Sequence, residues 1–178
     1  PIPEFSGTYD GNDHIISNLS ITGLVEGCSN IGLFSYVNLG TLQNIFLENV
    51  DINVGPVPAA SHGALAGQII NTTIENCGVT GIINLYEATP VDENCGGLVG
   101  YAGNSVISGS FCAVNISAPA IYNVGGLVGY IYDTEKSTTI TNCYTSMASV
   151  SGNQYCGAIV GYVSFGSYAV SVTNTYST

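Results

Sequence analysis

The sequence predicts an all-β chain that winds as a right-handed parallel β-helix, a β-solenoid of about five to six coils of roughly 30 residues. One glycine-rich apolar phrase recurs, as "CGGLVGYA", "NVGGLVGYI" and "CGAIVGYV". The copies follow one another at a nearly constant spacing. The segments between them are rich in Val, Ile, Thr and Tyr and alternate as strands do, and no stretch shows helical periodicity.

The recurring phrase defines a first set of aligned positions, a column. Its members recur at nearly even intervals, and they are Ser35, Gly67, Gly100, Gly129 and Gly161. Since each position of a solenoid recurs above itself in the next coil, we expect these glycines at a sharp bend or a close backbone approach. The aliphatic residues two positions earlier should form an interior ladder: Leu33, Leu65, Leu98, Leu127 and Ile159.

A second column runs through the intervening segments and keeps the same interval, except for a shorter first step. It consists of Asn18, Asn44, Asn76, Gly109, Asn142 and Asn174. Asparagines in this arrangement can hydrogen-bond amide to amide along the stack. Because two columns share one period, the chain reads as an array and a single solenoid domain, 1–178. Its predicted units are 5–36, 37–68, 69–101, 102–130, 131–162 and 163–178.

The order of these motifs resembles a known family. "FSGTYDGNDHIISNLSI", followed by "IGLFSY", "GGLVGY" and "ITNCYTS", is similar to the GLUG-repeat proteins of bacterial surfaces and secretions. The similarity runs from Phe5 to Ser177 and departs at "GALAGQ", which has no aromatic residue after Gly67, and at Gly109, where Asn is expected. The resemblance implies a right-handed parallel β-helix in adhesin-like, extracellular proteins. It transfers no catalytic residue, because the motif is a scaffold element.

The charge balance restricts the partners. The 178 residues include 12 acidic side chains, one lysine (Lys136) and no arginine, for a formal net charge of −11. Binding to phosphate backbones needs many cations, so nucleic acid and anionic membrane surfaces are excluded as partners. No apolar run is long enough to insert into a membrane. The opening "PIPEF", without Met or a signal-like segment, indicates a processed chain or an excised fragment.

The cysteines leave two interpretations open. The even number fits disulfides of an exported protein, and it also fits small buried apolar residues. Zinc is disfavoured, because there is no CxxC spacing and only His14 and His62 are available. Bridges within one column are disfavoured too. Cys77 and Cys143 share a column, as do Cys95 and Cys156, but each pair has another residue between them and is therefore about 9.6 Å apart. The six residues are Cys28, Cys77, Cys95, Cys112, Cys143 and Cys156.

The sequence predicts no enzyme and no cofactor. A polysaccharide lyase needs a strong base, and Lys136 reads as a loop tip. A glycoside hydrolase needs two carboxylates about 5–9 Å apart, for which Asp10, Asp13 and Asp51 are the candidates. However, "YDGND" is also an ordinary turn.

A metal site is not predicted. The calcium hypothesis is less favoured than solvated loop charges, since the full calcium-loop pattern is absent. The acidic groups considered for calcium are Asp10 with Asp13, Asp92 with Glu93, and Asp133 with Glu135.

Two further sets of residues are candidates for surface roles. A tyrosine column beside the glycines could pack on itself, contact another subunit or stack on sugar rings: Tyr36, Tyr101, Tyr130 and Tyr162. Three N-x-[ST] sequons, at Asn18, Asn71 and Asn115, are possible glycosylation sites, although their number is what chance gives.

The function predicted from these observations is an extracellular or cell-surface structural protein. We expect a β-solenoid subunit of a surface fibre or an adhesin that self-associates head-to-tail, or stacks on neighbouring repeats, through open coil ends and apolar or aromatic faces. One alternative is a carbohydrate- or receptor-binding adhesin module. The other is a polysaccharide-degrading β-helix enzyme.

Overall fold

The computed structural model describes residues 1–22, 29–55, 60–86, 89, 91–146, 149–164 and 168–178. Over these ranges the regular structure consists of strands, without a helix. The strands are β1 (Ile2–Asp10), β2 (Ile15–Ser17), β3 (Ser20–Thr22), β4 (Asn30–Ile31), β5 (Phe34–Gln43), β6 (Phe46–Val54), β7 (Ser61–Gly63), β8 (Ala66–Ile70), β9 (Thr73–Glu75), β10 (Gly78–Leu85), β11 (Val91–Gly96), β12 (Val99–Gly103), β13 (Val106–Ser108), β14 (Phe111–Ser117), β15 (Ile121–Gly125), β16 (Val128–Ile131), β17 (Thr139–Thr141), β18 (Tyr144–Thr145), β19 (Val150–Ser151), β20 (Tyr155–Gly157), β21 (Val160–Val163), β22 (Ser171–Thr173) and β23 (Tyr176–Ser177).

The strands stack in three parallel sheets. Sheet 1 has the order β21-β16-β12-β8-β5-β9-β13-β17-β22, with β1 paired to β5. Sheet 2 has the order β2-β6-β10-β14-β18-β23, with β3 and β19 at its sides, and sheet 3 has the order β20-β15-β11-β7-β4. Each neighbour in sheet 3 comes from the next coil, which gives about five turns. The predicted all-β parallel solenoid is confirmed.

Aliphatic columns fill the interior. In sheet 1 Leu42 pairs with Ile74, Ile74 with Ile107, and Ile107 with Ile140, and all four side chains are fully buried. β-branched side chains suit such positions because they pack well on a pleated, stacked surface. The repetition of one apolar residue type per column therefore builds a continuous core along the axis.

Asparagine predominates in two corner columns because the backbone there is left-handed. Asparagine adopts this left-handed backbone conformation more readily than most residues do. The first corner column, with φ from 49° to 56°, is Leu39, Asn71 and Asn104. The second corner column, with φ from 50° to 56°, is Asn44, Asn76, Gly109, Asn142 and Asn174. Glycine at position 109 thus satisfies the same backbone requirement as asparagine.

The assignment of Asn18 to the second corner column is wrong. The side-chain amide of Asn49 donates to Asn18 Oδ1 at 2.7 Å, so Asn18 stacks on a different position of the next coil. The side-chain amide of Asn44 donates instead to Asp10 Oδ1 at 3.0 Å. The interval from Asn18 to Asn44 is shorter than the others in the column because these two residues do not stack on each other. In the first coil the corner is formed by "DGND".

A third corner joins sheet 3 to sheet 1 and is built from two glycine columns. The predicted column stacks as expected from the strand register, with Val99 paired to Val128 and Val128 to Val160. A Cβ on Gly129 would lie 2.7 Å from the backbone N, C and O atoms of Cys95. The second column was not singled out from the sequence and comprises Gly32, Gly63, Gly96, Gly125 and Gly157.

Candidate functional site

Two columns flank the glycine corner and line one groove along the solenoid. The tyrosine wall belongs to sheet 1 and consists of Tyr36, Gln68, Tyr101, Tyr130 and Tyr162. The amide wall belongs to sheet 3 and consists of Asn30, Ser61, Asn94, Asn123 and Tyr155. Because the glycine corner connects the strands of the two walls, every coil places one residue of each wall beside the other.

The groove opens into a cavity near each end. The upper cavity measures about 560 Å³ and is lined from both walls, by Asn94, Asn123, Tyr130 and Tyr162 among others. The lower cavity measures about 370 Å³, and Asn30, Tyr36 and Gln68 line it in the same way. The two cavities thus lie along the same two walls, several coils apart, and Pro3 and Glu4 of β1 also line the lower one.

The tyrosine wall is a stack of rings. The ring centroids of Tyr101 and Tyr130 lie 5.4 Å apart, and those of Tyr130 and Tyr162 lie 5.7 Å apart. Tyr155 from the amide wall adds a ring 4.5 Å from that of Tyr162. Because stacked rings cover one another's faces, the wall offers mainly edges and hydroxyl groups. Burial, and then the neighbouring Tyr130, raise the pKa of Tyr101 to about 12, so that phenol is a protonated donor at ordinary pH.

The amide wall is a chain of hydrogen bonds directed along the axis. Asn123 Nδ2 donates to Asn94 Oδ1 at 2.9 Å, and Asn94 Nδ2 donates to Ser61 Oγ at 3.1 Å. Asn123 and Ser61 are buried. These contacts fix the orientation of the Asn94 and Asn123 amides along the axis.

A β-bulge places the acidic residues of the groove. Val91 pairs with Ile121 and Asn94 pairs with Asn123, so Asp92 and Glu93 together oppose a single residue of β15. The two carboxylates then go to different places. Asp92 lines the upper cavity, with Oδ1 3.4 Å from Asn123 Nδ2.

Glu93, the second residue of the bulge, contacts the buried side chain of His62. Glu93 Oε2 lies 3.1 Å from His62 Nε2, and the His62 side chain is only 1% exposed. His62 Nδ1 has no partner among the described residues. The sequence had given His62 no role, because its partner is distant in the chain and lies one coil above.

The structure places the predicted ladder residues as follows. Leu65, Leu98 and Leu127 are fully buried, whereas Leu33 and Ile159 are partly buried and pack on the core. Amide bonds join Asn76 to Asn44 at 2.8 Å and Asn174 to Asn142 at 3.3 Å. Gly109 interrupts this chain. These contacts stabilise the coil stack.

The carboxylates considered for hydrolysis have different settings. Asp51 Oδ1 is buried without a hydrogen-bond partner among the described residues. Asp10 accepts hydrogen bonds from the side chain of Asn44, from the backbone of Asn12 and from the side chain of Gln43, and these lower its pKa. A general acid needs the opposite shift. Asp51 lies in sheet 2, beside Ser20 of β3, whereas Asp10 lies in sheet 1.

The acidic groups considered for calcium do not gather. Within the part of the chain that the structure describes, no three His, Cys, Asp or Glu side chains are arranged to hold a metal ion. Asp133 is buried and closes its own loop. It accepts hydrogen bonds from the backbone of Asn104 and from the backbone and hydroxyl of Thr138.

The five described cysteines are free, and four of them are buried. The disulfide interpretation therefore finds no support in them, and Cys28 lies outside the described residues. Cys77 Sγ donates to the Glu75 carbonyl at 3.4 Å and Cys143 Sγ to the Thr141 carbonyl at 3.2 Å. Ser110, at the equivalent position, makes the same bond through its hydroxyl. Cys77 and Cys143 thus act as small hydrogen-bond donors directly after the second corner column.

The three sequons lie in different settings. Asn18 is exposed in a left-handed turn between β2 and β3, and Asn71 is half-buried at the first corner. Asn115 is exposed within β14. Glycosylation at these sites stays a prediction.

A second aromatic column was missed in the sequence. It lies in sheet 2, with ring centroids separated by 6.3, 5.3 and 5.5 Å, and consists of Phe46, Phe111, Tyr144 and Tyr176. Each of these residues follows its corner residue by two positions, a spacing that could have revealed the column. Gly78 occupies the equivalent position between Phe46 and Phe111, where it leaves room for the Phe111 ring.

The repeat structure agrees with comparisons to known proteins. Residues 120–151 match the family model of the GLUG motif. The chain carries a GLUG repeat. The resemblance predicted from the sequence is confirmed over that segment, which includes the glycine corner of the fourth coil and the groove residues Asn123 and Tyr130.

A curated relative extends the similarity. The chain is 36% identical over 115 residues to Halomucin from Haloquadratum walsbyi. The match covers 64% of this chain and 1% of the relative, so the chain spans a very small part of that protein.

One solved structure matches the chain at low similarity. It is the crystal structure of a "putative immunoglobulin A1 protease" from Bacteroides ovatus, with a TM-score of 0.44 and 18% identity. The match covers 94% of this chain and 59% of that one, and we draw nothing from a score at this level. Over the described residues of our chain, no helix could span a membrane.

Proposed function

We propose that this chain is a rod segment of a secreted or cell-surface structural protein, without catalytic activity of its own. The observation that carries the proposal is the parallel stacking of successive coils, which continues in all three sheets with register shifts in β1, β10 and β11. A rod of this kind holds whatever it displays at a fixed distance. The GLUG repeat and the similarity to Halomucin support a place at the cell surface or beyond it.

The surface charge supports the same location. With 12 acidic residues and one lysine, almost no carboxylate can find a cationic partner within the chain. Across the described residues the single ion pair is that of His62 with Glu93. Such an excess of like charge keeps separate rods soluble and apart, unless salt or a partner screens it.

Axial stacking is the finer part of the proposal. Val172 pairs with Ile140 and continues an interior column, yet it is 46% exposed whereas Ile140 is fully buried. One further coil placed on β20–β23 would cover it and would pair the free edges of these strands. Continuing repeats of the same protein or a second copy of the chain would both supply that coil.

The surface location is tested on intact cells that express the natural protein. We expect antibodies against the chain to label unpermeabilised cells or the medium. Brief treatment with proteinase K should remove the signal, and a cytoplasmic protein serves as the control. Trypsin is a poor reagent here, since the chain offers only Lys136. Labelling that requires permeabilisation would contradict the proposal.

Axial stacking has a separate test. Electron microscopy and light scattering of the purified chain at rising concentration should show end-to-end rods, and Val172→Glu should reduce them. Thr173→Glu is the matched control, because Thr173 is exposed in the same strand but faces outward, in a column with the half-buried Thr141. Monomers at every concentration would restrict stacking to repeats within one protein.

A further inference from the structure

We propose that the groove between the tyrosine wall and the amide wall binds a neutral linear oligosaccharide that lies parallel to the solenoid axis. This inference goes beyond the structural role, because it assigns a ligand to a defined surface. It does not depend on the location of the protein. A structural rod need not bind this ligand, and a module that binds it need not be part of a rod.

The lining of the upper cavity indicates the chemistry of the ligand. Eight of its nine lining side chains are uncharged and can form hydrogen bonds, and Asp92 is the one carboxylate. They include four phenols and three carboxamides, which both donate and accept. A ligand rich in hydroxyl groups matches such a surface, since each of its hydroxyls also donates and accepts.

The charge of the groove excludes other classes of ligand. The upper cavity has no cationic side chain in its lining, and the chain has a net charge of −11. Acidic polysaccharides and phosphate-bearing ligands would therefore be repelled. A cationic peptide would find one carboxylate in each cavity, Asp92 in the upper one and Glu4 in the lower one, which leaves most of its charge without a direct partner. A neutral glycan is the class that these observations favour.

The repetition of the groove indicates a linear ligand. Successive coils present the same pair of walls about 4.8 Å apart, a distance close to the advance of one sugar ring in an extended chain. The lower cavity repeats the arrangement with Asn30, Tyr36 and Gln68. Asn30 is 5% exposed, and its Oδ1 has no partner among the described residues. An occupant of the groove, or water in its place, would supply the missing donor.

The ring geometry defines how the sugar is held. Within the stack of Tyr101, Tyr130 and Tyr162 the faces are covered, so these residues contribute hydroxyls and ring edges. Tyr155 is 45% exposed and packs on Tyr162 with one face only, which leaves the other face for a pyranose ring. Recognition thus combines hydrogen bonds along the groove with stacking at its upper rim.

The test uses the whole chain and a panel of defined probes. Saturation-transfer NMR and tyrosine fluorescence would be recorded with neutral hexasaccharides of glucose, mannose and N-acetylglucosamine. Hexagalacturonate and hexalysine serve as the anionic and cationic probes. We expect at least one neutral hexasaccharide to bind, while hexagalacturonate does not. Binding of hexalysine alone, or of no probe, would overturn the proposal.

Two exposed residues locate the binding site. Tyr155→Ala and Gln154→Ala change side chains of the upper cavity that are exposed, so the fold should persist. We expect each to weaken binding about fivefold or more. The matched control is Tyr176→Ala, which removes an exposed tyrosine from the aromatic column of sheet 2 and should leave affinity unchanged. Equal affinity of the two tyrosine variants would place the ligand elsewhere and would contradict the groove.

Discussion

The glycine corner and the two asparagine corners all turn the chain, but they select their residues for different physical reasons. At the glycine corner Gly129 has no positive φ, and a Cβ there would meet the backbone of Cys95 at 2.7 Å. At the second asparagine corner Asn76 has a φ of 50°, and its side chain is exposed. Glycine is therefore required for space at the first, and asparagine for a left-handed backbone at the second.

The difference shows that turn-forming residues in a repeat are not equivalent. Two backbones touch at the glycine corner, so a substitution there changes the distance between sheets 1 and 3. The second asparagine corner is exposed at Asn76, so a substitution there changes only the local conformation and one amide bond.

Gly129→Ala should produce the largest loss. The added methyl group has to displace the backbone of β11, so we expect the free energy of unfolding to fall by about 3 kcal/mol. Equilibrium denaturation in urea measures the change. The control is Gly7→Ala, because Gly7 has a φ of 103° but nothing within 4 Å of its Cβ position. It should lose only about 1–2 kcal/mol. A Gly129 variant as stable as the Gly7 variant would contradict the steric explanation.

Asn76→Val should cost about 2 kcal/mol, because a β-branched residue is strained at positive φ. Asn76→Gly should cost less than about 1 kcal/mol, since it loses the amide bond to Asn44 but relieves the backbone. Gly109 already fills the same column position. Urea denaturation of the two variants isolates the backbone term, and equal losses would show that the amide bond dominates instead.

Leu39→Asn should stabilise the protein by about 1 kcal/mol. Leu39 has a φ of 56° and is 70% exposed, at the position that Asn71 and Asn104 occupy in the next two coils. Thermal unfolding at fixed salt measures the gain. Leu39→Ala controls for the loss of the exposed side chain, because alanine has no particular tolerance of positive φ. If both variants gained equally, the backbone would not be the cause.

Cys77→Ser should have the smallest effect, within about 1 kcal/mol, because a serine hydroxyl can keep the bond to the Glu75 carbonyl. Ser110, at the equivalent position, makes the corresponding bond to the Ser108 carbonyl. The pH dependence is more telling. Burial raises the pKa of Cys77 from about 9 to about 11, so this thiol stabilises the fold fully below pH 9. That contribution is lost as the pH rises toward 11. Denaturation at pH 8 and pH 10.5 should show a smaller decline in Cys77→Ser than in the parent, and an unchanged decline would contradict the assignment.

The period of the sequence predicted the fold because a solenoid converts spacing in the chain directly into stacking. It predicted the glycine column for the same reason. The left-handed backbone of the asparagine column was not predicted, although Gly109 was its sign, since asparagine and glycine share little except tolerance of positive φ. Asn18 was misassigned because an irregular first coil breaks the period.

The candidate site was predicted only in part. Tyr101, Tyr130 and Tyr162 were identified as a possible contact surface, but the amide wall was not. Its members include Asn, Ser and Tyr, so no single residue type occupies every position of the wall. The bulge at Asp92 and Glu93 was also inaccessible, since a bulge depends on a pairing partner in the next coil. Contacts between coils therefore limited what the sequence could reveal.

The register of the coils, on which the fold and the groove both depend, can be tested by an engineered disulfide. Phe111 and Tyr144 are direct partners in β14 and β18, although a full coil of sequence separates them. Neighbouring parallel strands lie about 4.8 Å apart, within the range that a disulfide spans. The double variant Phe111→Cys/Tyr144→Cys should form that bond rapidly on mild oxidation, as mapped by mass spectrometry, whereas Phe111→Cys/Tyr130→Cys should not. Failure of the first pair to bridge, or equal bridging by both, would contradict the stacked solenoid.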